Sequence, residues 1–357
     1  GLCTQWRADD GSPQEVDGEG ICAGECMVET KGITDDMSNN ILILSCGTRD
    51  LLVRYFKRAD YGQVIGADCS ELAPALYEAD QYYLIPRMKE EGYFDAILEI
   101  CRKEGITAIL PLQEDELNLI SENRELFEQE GIRTIVSPVE TLQICRDKYC
   151  FFEHMKEHGI PVLNSYIDLA EFEKAYEAGK IGFPVFVKPV RGAGSVGVMK
   201  VSCMELLKAL FAYSEEPLLI QEFCNGREFG IDVYVDLVSS EVVDIFAKEK
   251  LRMRAGETEK SVTSNDPALK EFVYRAASTL KLSGPVDMDV FERDGTFYLS
   301  EINPRFGGGF PHAYACGVDT PSYILKNLQG IANESHLQEK REEIYVLKYS
   351  DILCIDR

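Results

Sequence analysis

The chain has no apolar run approaching the ~18 residues that a membrane-spanning helix needs, and no secretory signal pattern opens it. Basic charge is in short supply: 37 Lys and Arg face 61 Asp and Glu, a formal net charge of -24. That balance argues against nucleic-acid or acidic-membrane partners, which call for a basic face. Twelve cysteines are present, yet they lack paired zinc spacing; Cys22 and Cys26 are the only close pair near the start, and two thiols do not make a zinc site. Such scattered thiols fit a reducing, cytoplasmic setting. No internal repeat is found. What remains, 357 residues at 45% hydrophobic and 27% charged, suits a cored globular protein of two or three domains.

The densest chemistry lies in residues 284–309. Val286, Met288 and Val290 alternate with Asp287 and Asp289, Asp294-Gly295 supplies a turn, and Phe297, Leu299 and Ile302 continue on a return strand. Glu301 and Asn303, two apart, point to one face, and Asp289 on the partner strand can face them. Hard cations such as Mg2+ take oxygen ligands from a few carboxylates plus nucleotide phosphates. A merely solvated face is the alternative. Upstream, the strand-like 183–189 ends near Lys188 and is followed by Gly192, Gly194, Ser195, Val196 and Gly197, a glycine pattern that leads into another strand, Val198 to Val201. A dinucleotide-binding turn would need a helix there. A strand–loop–strand instead suits a flap whose bare amides approach phosphates. Protein kinases share that flap, but their HRD and DFG motifs are missing.

Ser300-Glu301-Ile302-Asn303-Pro304-Arg305, followed by Phe306-Gly307-Gly308-Gly309, resembles the magnesium-binding signature of the ATP-grasp ligases, which include D-alanine:D-alanine ligase, biotin carboxylase and the carbamoyl-phosphate synthase large subunit. The resemblance is greatest to single-copy proteins like one half of that subunit, and covers residues 40–330. It implies an α/β (α+β) fold, an ATP-grasp fold preceded by a parallel-sheet domain, with ATP and Mg2+ (or Mn2+) as cofactors. It implies metal ligation by Asp289, Glu301 and Asn303, and phosphate contacts from Lys148, Lys188 and the flap residues Gly192, Gly194, Ser195, Val196 and Gly197. It also implies an adenine hinge at Glu222, Phe223 and Cys224, and a ribose acceptor at Glu228. Read alone, Glu228 is more often a surface residue and Cys224 a small core hydrophobe. Arg305 is expected to stabilise the transferring phosphoryl group. Lys250 and Arg254, from the cation-rich 248–254, are candidate catalytic phosphate or carboxylate ligands, with a solvated strand face as the alternative.

Residues 1–36 carry nine acids, two bases and six glycines, and read as a disordered or foreign leader with Met37 as a start. Residues 37–145 read as a parallel α/β domain: a strand at 41–45, a helix at Asp50–Arg58, and strand–helix units at 63–68, 106–112 and 133–136. Gly47 to Arg49, Asp68 and Gln113 to Asp115 fall at strand ends, where such sheets bind ligands, or are helix caps. Residues 146–217 read as the flap domain, 218–330 as the catalytic domain and 331–357 as a C-terminal segment. The expected activity is ATP-dependent carboxylate–amine (or ammonia) ligation through an acyl phosphate, releasing ADP and phosphate. The alternatives are phosphorylation of bicarbonate or carbamate, and a non-catalytic nucleotide-binding module. The expected partners are small-molecule carboxylates and amines, with a homodimer as the permitted assembly and no nucleic acid or membrane. His312 is read equally as a packed histidine or a base.

Overall fold

A computed structural model describes residues 39–192, 197–254, 256–339 and 341–355. The proposed leader, Met37, and the flap residues Gly194, Ser195 and Val196 lie outside the described residues. Three sheets carry the fold, and their order explains where the cavity falls.

The first sheet is parallel, in the order β3-β2-β1-β4-β5, from β1 (Asn40–Leu44), β2 (Val64–Asp68), β3 (Gln81–Leu84), β4 (Ile106–Pro111) and β5 (Arg133–Thr134). The continuous apolar run of β1 is covered on both faces, as a central parallel strand requires. Helices α1 (Asp50–Arg58), α2 (Tyr93–Lys103), α3 (Glu114–Glu122), α4 (Arg124–Gln129) and α5 (Val139–Arg146) follow these strands. β1 leads on to β2 at one side while β4 lies at its other side, so the order reverses between β1 and β4. The loops after these two strands therefore flank a crevice at the carboxyl ends. Strand β3 escaped the sequence reading because its residues are mostly exposed and show no buried alternation.

After α6 (Lys148–Glu157), the second sheet runs β6-β9-β7-β8, from β6 (Ser165–Tyr166), β7 (Val185–Pro189), β8 (Met199–Val201) and β9 (Leu218–Glu222), with α7 (Leu169–Glu177) and α8 (Met204–Tyr213) alongside. β9 is hydrogen-bonded antiparallel to β7, with Lys188 opposite Leu219. The flap sheet thus continues to Glu222, and the boundary expected between 217 and 218 is displaced. An apolar strand does not announce in sequence which neighbour it will join.

The third sheet has six antiparallel strands in the order β14-β13-β10-β11-β12-β15. They are β10 (Arg227–Val235), β11 (Val242–Arg254), β12 (Glu257–Ser264), β13 (Gly284–Arg293), β14 (Thr296–Asn303) and β15 (Tyr345–Leu347). The β13–β14 hairpin forms as expected, its turn held by Asp294 at φ 54° and Gly295 at φ 76°, the left-handed pair that a two-residue hairpin loop demands. Alternation sorts the faces. Ile231, Val233, Val286, Met288 and Val290 pack with α9 (Pro267–Ala277) in one apolar cluster, leaving Gly230, Asp232, Asp287 and Asp289 on the opposite face. One part of that opposite face, Tyr234 and Phe246, is covered by a second cluster containing Val53 and Phe56 of α1 and Phe306 and Phe310. Tyr55 stacks on Tyr314 at 3.7 Å in this contact, which also engages α10 (Phe310–Ala315) and α11 (Thr320–Leu328). Packing α1 here brings the β1–α1 loop to the segment after Arg305. The rest of the face stays polar and forms the cavity floor.

No helix among the described residues is long and apolar enough to cross a membrane.

Candidate active site

A cavity of about 360 Å³ opens between the flap sheet, the polar face of the third sheet and the β1 and β4 loops. Its floor is set by strand register. Asp289 stands opposite Glu301 and Asp287 opposite Asn303, and the Asn303 amide donates to Glu301 Oε1 at 3.1 Å. The three expected metal ligands therefore share one face. Among the described residues no three His, Cys, Asp or Glu close into a cage. Two carboxylates and an amide suit instead a hard ion that keeps phosphate and water among its ligands. The donor set fits Mg2+ or Mn2+ bound together with a nucleotide.

Lys250 lies between Glu228 at 2.8 Å and Asp289 at 2.6 Å. Burial opposes its charge, but Asp289 and Glu228 outweigh that and hold the ammonium protonated above the usual lysine range. Burial also pushes the Asp289 carboxyl upward; Lys250 pulls it down, while Asp287, Glu301 and Glu228 add to the rise. Lys250, within ion-pair distance of both the Glu228 and Asp289 carboxylates, is the internal counter-ion of this acidic face. Asp287, absent from the expected ligands, belongs to this cluster and lies 3.9 Å from Arg305. Lys248 is buried in an ion pair with Asp232 beneath residues 307–309.

The glycines after Arg305 answer to these side chains. A Cβ on Gly307 would fall 2.3 Å from Asp287 Oδ1, and one on Gly309 2.5 Å from Lys248 Cε. They are needed for the segment to lie directly on the floor.

Lys188 is buried rather than solvated, its ammonium donating to Gln221 Oε1 at 2.9 Å. Burial lowers its pKa to about 8, with Glu301 the largest compensating charge. Lys148 opens α6, where Asp147 caps the helix by accepting from the Tyr149 and Cys150 amides. Its ammonium donates to the Gly192 carbonyl at 2.7 Å, tying the base of the flap loop to the cavity rim. Gly192 adopts φ +124° and Gly197 φ +74°, backbone settings that glycine permits.

At the hinge, Glu222 accepts from Arg293 at 2.7 Å and from the Asn164 amide at 2.8 Å. Phe223 packs on Phe186 and lies under the Lys200 ammonium, 3.9 Å from the ring centroid. Cys224 is buried in the cavity wall. These contacts hold the side chains of Glu222, Phe223 and Cys224 in place. Arg293 was invisible in sequence, since it acts across 71 positions.

Among the expected residues that the structure describes, Phe223, Gly197 and Arg254 do not line the cavity, and Arg254 lies outside it for a reason of register. Register irregularities between Lys250 and Arg252 and between Arg252 and Met253 break the alternation of β11. Arg252 and Arg254 then swing to Glu259 and stay exposed, outside the cavity wall. His312 is also outside it, buried between the Ser261 and Thr263 hydroxyls at 2.7 and 3.0 Å. Burial, then Lys248, depress it to about 4, so it is a neutral packed histidine near pH 7.

Of the strand-end groups, Asp68 is occupied in shaping its own loop, accepting from the Gly47 and Ser70 amides, and Asp115 pairs with Arg146. Arg49 and Glu114 reach the cavity. From the other end of the chain, Lys348 donates to the Gly308 carbonyl at 2.8 Å and pairs with Glu257 at 3.1 Å, so the C-terminal segment also braces the rim.

The sequence matches the PylC-like N-terminal domain family over residues 41–135 and the ATP-grasp domain family over residues 145–309. It is 24% identical over 284 residues to the carbamoyl phosphate synthase arginine-specific large chain of Geobacillus stearothermophilus, covering 76% of this chain and 26% of that one. It is 30% identical over 187 residues to the D-alanine–D-alanine ligase of Ruminiclostridium cellulolyticum, 46% of this chain and 50% of that one. The chain thus spans about a quarter and half of these relatives. The fold is shared with the biotin carboxylase domain of Hydrogenobacter thermophilus 2-oxoglutarate carboxylase, solved with MgADP and bicarbonate, at TM-score 0.67 and 21% identity over 84% of this chain and 72% of that one. The chain therefore carries a PylC-like N-terminal domain followed by an ATP-grasp domain.

Proposed function

We propose that this protein is an ATP-dependent carboxylate–amine ligase, working through an acyl phosphate and releasing ADP and phosphate. One observation carries the reading: a single cavity is lined by Lys148, Lys188, Asp289, Glu301 and Arg305 and also by Arg49 and Glu114 from the parallel sheet. Nucleotide-type and co-substrate-type groups therefore share one space.

In this reading the hinge backbone at Glu222 to Cys224 takes the adenine edge, Glu228 the ribose, and Lys148, Lys188 and the Gly192–Gly197 loop the phosphates. Asp289, Glu301 and Asn303 would hold Mg2+ or Mn2+, which would supply charge neutralisation for the terminal phosphates. A substrate carboxylate oxygen attacks the terminal phosphorus, and the bond to the ADP oxygen breaks with its electron pair. An amine then attacks the acyl carbon, the carbon–oxygen bond to phosphate breaks, and the amine proton leaves to solvent. Arg305 stabilises the transferring group. Positioning and fixed charge do this work, with no covalent enzyme nucleophile. Lys250 keeps Glu228 and Asp289 oriented from beneath.

The likeness to carbamoyl phosphate synthase over 76% of the chain supports bicarbonate as the second candidate acid. Hydroxylamine separates the two. With MgATP and a panel of organic acids, the ligase reading expects a stable hydroxamate and ADP from at least one acid. ADP release supported by bicarbonate alone, with carbamoyl phosphate appearing on addition of ammonia, overturns it.

A further inference from the structure

Among the described residues the most deeply placed cations have side-chain partners: Lys248 with Asp232, Lys250 with Glu228 and Asp289, Arg341 with Asp244, and Lys188 with the Gln221 amide oxygen. Arg49 breaks the pattern. It is half-buried in the cavity wall, yet among the described residues its guanidinium donates no hydrogen bond and has no carboxylate within ion-pair distance. Gly308 lies beside it, since a Cβ there would sit 3.7 Å from Arg49 Nη1. Glu114 mirrors it. This half-buried carboxylate lines the same cavity and, among the described residues, accepts no hydrogen bond and meets no cation within ion-pair distance.

The two groups do not neutralise each other. They come from the loops after β1 and β4, on either side of the crevice where the strand order reverses. Arg305 stands near both. Burial first and Arg305 second depress the Arg49 guanidinium against the longer-range pull of Glu257 and Asp287, and burial, with Glu301, raises Glu114 against the pull of Arg305, Lys148 and Arg146. Each is thus an ion held where its charge is unfavourable, and an opposite ligand charge relieves both.

We propose that Arg49 and Glu114 read the two charged ends of an amino acid: Arg49, beside Arg305, takes the carboxylate that is to be phosphorylated, and Glu114 takes the ammonium. This rests on the ligase reading and names its acid substrate as an amino acid. Two unpaired charges of opposite sign on one crevice fit a zwitterion better than bicarbonate, which carries no cation for Glu114 to meet. Arg49 and Glu114 are then specificity determinants, separate from nucleotide binding.

The test uses the full chain with MgATP and reads ADP release for free amino acids, their N-acetyl derivatives and the matching acids without the amine. At least one free amino acid is expected to show a KM about ten-fold or more below its two counterparts, the worth of one charged hydrogen bond. Glu114→Gln should erase that preference. Arg49→Met should raise the KM of the acid about ten-fold or more and leave the KM of ATP within about two-fold, with Arg49→Lys recovering part of the loss. The assignment is overturned if Glu114→Gln keeps the preference, if Arg49→Met acts on ATP instead, or if only acids without an amine stimulate turnover. Calorimetry with MgADP separates the two levels: binding with any of those outcomes removes the amino-acid assignment alone, and no binding removes the ligase reading with it.

Discussion

Glu301→Gln is expected to reduce turnover about 10³-fold, on the order of 4 kcal/mol of transition-state stabilisation, while the free protein keeps its melting temperature or gains slightly. The two halves of that result have separate causes. Glu301 faces Asp289 across the hairpin and shares its surface with Asp287, so three carboxylates crowd one face. Removing one negative charge relieves repulsion in the free protein, and Gln keeps the Oε1 that accepts from Asn303. When the nucleotide and its metal are bound, the same lost charge is a lost ligand. A steady-state assay beside a thermal melt checks both. Near-normal turnover would remove Glu301 from the metal site, and a large drop in melting temperature would make it a structural residue.

Lys188→Met is expected to weaken ATP binding by about 10- to 100-fold, the loss of a charged hydrogen bond, with the side-chain stem retained. pH tests the same residue without mutation. Its pKa is lowered from 10.5 to about 8 by burial, so ATP affinity should fall as pH rises through about 8. Stability should move the other way. Between about 8 and 10.5 the unfolded chain holds a proton that the folded chain has released, so this lysine's linkage makes the free protein gain stability as pH rises. Calorimetry across that window checks the affinity. An affinity flat with pH, and unaltered in Lys188→Met, would detach Lys188 from the phosphates.

The hairpin was legible because its period-two pattern, its Asp-Gly turn and its facing acids lie within one short stretch, where alternation alone decides which side chains meet. The parallel sheet was legible for a similar reason, as apolar strands each followed by helical signals. What could not be read depends on pairing between distant segments. β9 joins β7 rather than the sheet that follows it in sequence. Arg254 was misplaced because the irregular register arises in the pairing of β11 with β12, which skips a residue on each strand and is not visible in β11 alone. Asp287 looked like one acid among many until Gly307 was seen lying on it, and the reach of Arg49 into the cavity follows from α1 packing on the segment after Arg305. Burial of Lys188 likewise comes from the flap sheet's own neighbours, and nothing local distinguishes it from an exposed strand lysine.

The central claim is that a substrate carboxylate attacks the terminal phosphorus directly. The most direct measurement supplies the acid that supports turnover with both carboxyl oxygens labelled with 18O, and follows the released phosphate by mass spectrometry. Acyl-phosphate chemistry predicts one labelled oxygen in each phosphate formed, because the attacking oxygen leaves with phosphorus when the amine displaces it. Unlabelled phosphate, with both labelled oxygens retained on the acid carbon, would contradict the account.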